Sequence, residues 1–273
     1  MLLQAADVRF GYGETPVIDG VSLSIPRGRI LGILGPNGSG KTTLLKLLSG
    51  LLTPASGQVM FDGADVRALG RQTLARRLAV VPQDTHLAFD YSVMEIVLMG
   101  RYPHLRAMQM EGPEDVDIAR RALAATGTGE FERRAFTTLS GGERQRVVIA
   151  SALAQVARAK TEDERSKTQD AVLLLDEPTA SLDLGYQLEI AALLLQLNLE
   201  RHLTIVISTH DLAFASAVCH ELVLLRAGRL IESGPVDRVL TAPNIRALYD
   251  VEADVRRDET SGRVVVVPRR HLR

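Results

Sequence analysis

Tryptophan is absent from the 273 residues, aromatic residues make up only 4%, and there is one cysteine, Cys219. Scarce aromatics disfavour base-stacking platforms and sugar-binding grooves. A single cysteine excludes a disulfide framework and any cysteine-cluster metal site, and points to a reducing compartment. No apolar run approaches the ~18 residues of a spanning helix. The opening MLLQAADVRF lacks the basic region and long apolar core of a signal peptide, so the chain reads as soluble. An excess of positive charge is also missing: 32 Lys+Arg face 33 Asp+Glu, for a net charge of −1. That balance argues against a broad basic face, and no nucleic-acid partner is expected. What is present is ordinary globular usage, 46% hydrophobic and 24% charged, enough for one large domain or two small ones.

Short apolar runs separated by turns open the chain. Leu2–Phe10, Val17–Ile25 and Arg29–Leu34 read as strands, divided by Gly11-Tyr12-Gly13 and Pro26-Arg27-Gly28. A leucine-rich helix follows over Lys41–Leu52, then strands at Gln58–Phe61 and Leu78–Pro82. From Ser92 to Val156 the pattern is mainly helical, broken at Pro103 and Pro113. Strand–helix pairs then return: Ala171–Asp176, a helix over Gly185–Arg201, Leu203–Ser208 and a helix from Asp211. Leu222–Arg226 and Arg229–Ser233 flank Ala227-Gly228 as a hairpin. The order predicts an α/β core interrupted by a helical insert. Residues 157–170 (ARAKTEDERSKTQD) carry both charges densely and read as a solvated loop or helix extension. Val264–Val267 before a basic end reads as a lone terminal strand with a frayed tail.

Gly35-Pro36-Asn37-Gly38-Ser39-Gly40-Lys41-Thr42 fits G-x-x-x-x-G-K-[ST] between a predicted strand and a helix. Its glycines let backbone N–H groups approach phosphate oxygens, and the helix N-terminus adds a favourable dipole. Lys41 then neutralises β- and γ-phosphates, and the Thr42 hydroxyl can ligate Mg²⁺. A dinucleotide site fits poorly, because no third glycine follows at the right spacing. Val172-Leu173-Leu174-Leu175-Asp176-Glu177 is an apolar strand ending in two carboxylates. Such a strand delivers them at its C-terminal edge, where Asp176 would hold Mg²⁺ and Glu177 would deprotonate a water. His210 follows another apolar strand, in position to contact the γ-phosphate.

Leu139-Ser140-Gly141-Gly142-Glu143-Arg144-Gln145-Arg146 completes the set and opens a helix. With it, the chain closely resembles the ATP-binding cassette ATPases over roughly Leu2 to Leu240. The resemblance implies a P-loop NTPase core sheet with an antiparallel β subdomain and a helical subdomain at about 88–157. Residues 157–170 form a linker, and 241–273 a C-terminal tail on or near the core. It implies an ATP-sandwich homodimer, in which Ser140, Gly141, Gly142 and Glu143 close on ATP held by the other copy's Gly35–Thr43. Thr43 thus joins the implied ATP-binding residues. Tyr12 fits the aromatic that stacks on adenine, although a tyrosine before a glycine equally serves as a turn residue. Gln83 fits the glutamine that senses γ-phosphate and Mg²⁺, Ser181-Leu182-Asp183 the dimer-crossing loop, and His210 the switch histidine. Catalytic roles fall on Glu177, His210 and Gln83, and metal contacts on Thr42, Gln83 and Asp176. Glu143 replaces the consensus glutamine, a common variant that leaves activity expected.

Exporters of the family usually fuse membrane spans to the cassette, and repair-type cassettes carry long insertions. The expectation is therefore an importer subunit on separate membrane permeases, at the cytoplasmic face of the membrane, served indirectly by a substrate-binding protein. The alternative is a soluble ATPase in assembly or signalling. Ser92–Leu105 resembles the segment of iron-siderophore, haem and cobalamin importer cassettes that receives a membrane-subunit helix; an ordinary amphipathic helix and turn is the other reading. Val93, Ile96 and Val97 are its expected apolar anchors where exposed, with Arg101 and Tyr102 as rim. The tail, with Tyr249-Asp250-Val251, Thr260-Ser261-Gly262-Arg263 and a valine run, is similar to theirs. The lengthened 157–170 stretch resembles that of haem importers.

Overall fold

A computed structural model describes residues 1–84, 89–158 and 171–272. In chain order they form β1 (Leu3–Tyr12), β2 (Thr15–Ile25), β3 (Ile30–Leu34), α1 (Lys41–Leu48), β4 (Ser56–Phe61), β5 (Ala64–Asp65) and α2 (Arg71–Ala75). Then come β6 (Leu78–Val81), α3 (Val93–Met99), α4 (Pro113–Ala125), α5 (Gly141–Val156), β7 (Val172–Asp176) and α6 (Leu184–Arg201). The chain ends with β8 (Thr204–Thr209), α7 (Leu212–Val218), β9 (Glu221–Arg226), β10 (Arg229–Pro235), α8 (Val236–Val239), α9 (Ala242–Tyr249), β11 (Val251–Arg257) and β12 (Val264–His271). These elements divide into two compact units, Met1–Ala68 with Ile205–Arg273, and Leu69–Thr204. Residues 159–170 of the predicted charged linker lie outside the described residues.

The first unit holds an antiparallel sheet in the order β2-β1-β4-β5. Beside it in sequence, β3 pairs in parallel with β8 and β9, and β10 runs antiparallel to β9. Every residue of β3 and β8 is buried, as continuous apolar runs in parallel strands require. The β9–β10 hairpin turns through Ala227 (φ 48°) and Gly228 (φ 75°), the paired positive φ of a tight hairpin turn. Helix α1 stops at Leu48 rather than at Leu52: Gly50 takes φ 72°, a left-handed stop, and Leu51 is 68% exposed. The lone terminal strand expected at Val264–Val267 is instead half of a hairpin, since β12 pairs with β11 from Arg257↔Val264 to Val251↔His271. Cross-strand ion pairs Arg269–Asp254 and Arg270–Glu252 line it, and Ser216 Oγ donates to Val264 O at 2.6 Å.

In the second unit β6 and β7 pair in parallel, and α3, α4 and α5 pack around Val93, Val97, Ile118, Leu123, Val147 and Ala150. Helices α3 and α5 approach closely at Gly100, where a Cβ would lie 2.2 Å from Ser151 O. Ser151 Oγ closes that crossing by donating to Ile96 O at 2.9 Å. Among the described residues no helix is long and apolar enough to cross a membrane.

Candidate functional site

The first unit carries the phosphate loop. β3 and β8 run in register Leu34↔Thr209, so the loop that leaves β3 and His210, which follows β8, emerge at one sheet edge. The loop is shaped from below: a Cβ on Gly35 would lie 2.2 Å from Leu225 O, and one on Gly40 2.8 Å from Ile18 Cδ1. Gly40 also needs φ 102°, which a side chain opposes. Helix α1 has no side-chain cap, which leaves its first N–H groups for an anion. Lys41 is 5% exposed and donates through Nζ to Gly35 O at 2.9 Å and Pro36 O at 3.1 Å, folding its charge over the loop. Ser39 Oγ is buried without a hydrogen-bond partner among the described residues. Asn37, Gly38 and Thr42 are exposed, Pro36 is partly buried and Thr43 is buried. Tyr12 is 53% exposed at the end of β1, its ring edge-on to Phe10 at 5.0 Å. His210 is exposed, and its carbonyl accepts from Tyr249 Oη at 3.2 Å.

The second unit gathers the other stations. β6 and β7 run in register Val81↔Leu175, so Gln83 and the pair Asp176, Glu177 leave neighbouring strands at the same edge. Asp176 is buried and Gln83 exposed. Glu177 sits at φ 46°, a left-handed conformation unusual for a side-chain-bearing residue and typical of strained functional positions. Among the described residues no three His, Cys, Asp or Glu side chains come together as a metal cluster. Taken singly, the Thr42 hydroxyl in the first unit and the Asp176 carboxylate in the second are hard oxygen donors of the kind Mg²⁺ takes, an ion that leaves its other positions to phosphate oxygens and water.

Ser140 is the N-cap of α5. Its hydroxyl accepts from Glu143 N at 3.3 Å, while its own N–H donates to Glu143 Oε2 at 2.7 Å, a full capping box. The Ser140 N–H bond to the carboxylate, first among the causes, holds the Glu143 carboxyl below its usual range. The Ser181-Leu182-Asp183 loop lies against this turn: a Cβ on Gly141 would be 3.4 Å from Leu182 Cδ2. Ser181 takes φ 64°, and Asp183 caps α6 by accepting from Tyr186 N at 3.0 Å. Tyr186 is the residue that sequence reasoning missed. Its ring lies on Gly142 and its hydroxyl meets Ser140 Oγ at 3.0 Å. The only signal was an aromatic three residues past Asp183.

The Ser92–Leu105 segment corrects two expectations. Val93, Ile96 and Val97 are buried, at no more than 5% exposure, because they form the face of α3 that packs on the helical core. Arg101, expected at a rim, is 2% exposed. Its Nη1 donates to Ala154 O at 2.6 Å and Ala157 O at 2.7 Å, and its Nε to Asp115 at 3.0 Å. An arginine can cap carbonyls at a helix C-terminus where the dipole favours a cation. His104 Nε2 lies 2.7 Å from Gln155 O, so the segment is fastened along the last turns of α5. Among the described residues, the exposed large apolar side chains close by in sequence are Tyr102, Met108, Met110 and Phe89.

The family model described as ABC transporter matches residues 18–180. A cobalamin import ATP-binding protein BtuD of Halobacterium salinarum is 41% identical over 268 residues, 98% of this chain. The chain spans 64% of the length of that relative. A hemin import ATP-binding protein HmuV of Bordetella pertussis is 38% identical over 270 residues, covering 98% of this chain and 100% of that protein. A solved structure described as an inward-facing metal-chelate type ABC transporter aligns with TM-score 0.84 at 29% identity, covering 98% of this chain and 97% of that one. Matched by the family model over more than half its length, and over 98% of its residues by these relatives, the chain belongs to the ABC transporter family and has the P-loop NTPase fold of its ATP-binding cassettes.

Proposed function

We propose that this chain is the ATP-hydrolysing subunit of an ABC importer. It powers uptake of a metal chelate (haem, ferric siderophore or cobalamin) through separate membrane subunits, at the cytoplasmic face of the membrane. The observation that carries the reading is the phosphate loop, where a buried Lys41 and an uncapped helix start converge above glycines that admit no side chain. Tyr12 stacks on adenine, and Gly35–Thr43 hold the phosphates. Mg²⁺ arriving with ATP supplies charge neutralisation, and Thr42, Asp176 and Gln83 are the side chains to hold it. Glu177 takes a proton from the attacking water, and His210 contacts the γ-phosphate. Ser140, Gly141 and Gly142 face ATP on a second copy, the Glu143 capping box keeps that turn in shape, and Ser181-Leu182-Asp183 cross between copies.

Coupling to the membrane subunits runs through α5. The signature turn is its N-terminus, and Arg101 and His104 fasten the Ser92–Leu105 segment to its C-terminal turns. A membrane-subunit helix seated against Tyr102, Met108 and Met110 therefore pushes on the helix that presents Ser140. The relatives' names support the metal-chelate class, and no observation favours a soluble assembly or signalling ATPase. The test is reconstitution in vesicles with the membrane subunits that co-purify with it and their binding protein. Uptake of haem, a ferric hydroxamate and cobalamin is measured with and without ATP. ATP-dependent uptake of one of them, lost in Lys41→Ala, is expected; ATP hydrolysis with uptake of none contradicts the importer reading.

A further inference from the structure

We infer that Tyr186 is a positioning residue for the signature serine, whose hydroxyl sets the direction of the Ser140 proton. The inference rests on the reading in which Ser140 meets the γ-phosphate of ATP on a second copy. Tyr186 lies in the first turn of α6, directly after Ser181-Leu182-Asp183, and is held there by Asp183. Its ring fills the space behind the signature turn so closely that a Cβ on Gly142 would lie 2.0 Å from Tyr186 Cδ1. Gly142 is therefore required from behind, by this ring, as well as from in front by phosphate. Above the ring, the Ser140 hydroxyl donates to Tyr186 Oη at 3.0 Å.

A serine hydroxyl has one proton and two lone pairs. One lone pair of Ser140 takes the Glu143 N–H. Without nucleotide the proton is left to Tyr186 Oη, 3.0 Å away. An ionised phosphate oxygen only accepts, so closure requires the serine to turn its proton onto it. Tyr186 then rotates its own O–H and donates to the second serine lone pair, which the rotation has turned toward it. The chain runs Tyr186 Oη–H to Ser140 Oγ–H to phosphate oxygen, with Glu143 N–H on the remaining lone pair. No proton changes owner and no charge moves; two hydroxyls rotate. Each link polarises the next, which strengthens the last bond to the charged oxygen. Phenylalanine keeps the ring on Gly142 but leaves one serine lone pair unmet in the closed state. Because Tyr186 stands in the first turn after the dimer-crossing loop, the same hydroxyl makes the serine's readiness depend on how that loop is seated.

The test is a double-mutant cycle in the Glu177→Gln protein, which turns over too slowly to deplete ATP. Sedimentation velocity reads the ATP concentration at half-maximal dimer. Tyr186→Phe should raise it about three- to tenfold, one hydrogen bond to a buried acceptor. It should leave the melting temperature unchanged and have no effect when Ser140 is alanine. The KM for ATP in the Glu177-intact proteins reads the same cycle independently. An unchanged midpoint, or an equal shift with Ser140→Ala, overturns the assignment while leaving the sandwich intact. If Glu177→Gln with native Tyr186 stays monomeric at all ATP concentrations, the sandwich reading fails and takes this inference with it.

Discussion

Replacing Arg101 with methionine keeps most of the side-chain volume and removes the guanidinium, so it isolates the buried charge. Arg101 is 2% exposed and makes three hydrogen bonds, two to carbonyls at the end of α5 and one to Asp115, whose side chain is 14% exposed. In the variant, among the described residues, Asp115 keeps only the Gly112 N–H at 3.1 Å, and the Ala154 and Ala157 carbonyls lose a charged donor. Removing one partner of a buried ion pair costs about 3–5 kcal/mol, mostly because the other charge stays behind uncompensated. Three hydrogen bonds to a charged donor, at about 1.5–3 kcal/mol each, give a higher sum, but they describe the same loss and are not added. At about 2–4 °C per kcal/mol for a protein of this size, the melting temperature should fall by about 6–20 °C. Differential scanning calorimetry reads it directly. Arg101→Lys, which cannot serve all three acceptors with one fork, should recover less than half of the loss. A melting temperature within about 2 °C of the parent would refute the assignment of Arg101 as the fastening between the Ser92–Leu105 segment and α5.

Lys41→Ala should lower ATP affinity at least about tenfold in titration calorimetry while leaving the fold intact, since a charge-assisted contact to phosphate is lost. Burial pushes the Cys219 thiol up to about 12. The folded protein should therefore not react with a thiol reagent at pH 8, and should release one thiol per chain on unfolding; rapid labelling of the native protein would place Cys219 at the surface.

The candidate site segments and the β9–β10 turn were legible because their signals are local. A glycine-rich loop between an apolar run and a leucine-rich helix, two carboxylates at the end of Val172–Leu175, and Ala227-Gly228 between short strands each state their geometry within a few residues. The features that escaped are those made by partners far apart in sequence. Arg101 looks like a surface cation beside a tyrosine until the end of α5, more than fifty residues away, is brought over it. Val93, Ile96 and Val97 are anchors in both readings; which partner they anchor to depends on which face of α3 turns inward. The terminal hairpin carried a readable sign, the alternation of Val251, Ala253 and Val255 with charged residues, which supplies the strand that the valine run needs. The Tyr186–Ser140 contact carried none, because a three-residue spacing from Asp183 does not reveal that Gly142 lies beneath the ring.

The central claim is that ATP held on the phosphate loop joins two copies and that its hydrolysis, with Glu177 as base, parts them. Glu177→Gln keeps the size of the side chain but cannot take a proton from water, and should slow turnover by about 10²–10⁴-fold. Size-exclusion chromatography of that variant with ATP and Mg²⁺ should give a dimer, and with ADP a monomer, while the parent protein returns to monomer as its ATP is consumed. Rapid hydrolysis by Glu177→Gln, or an elution volume that ATP does not change, would contradict both the base and the sandwich.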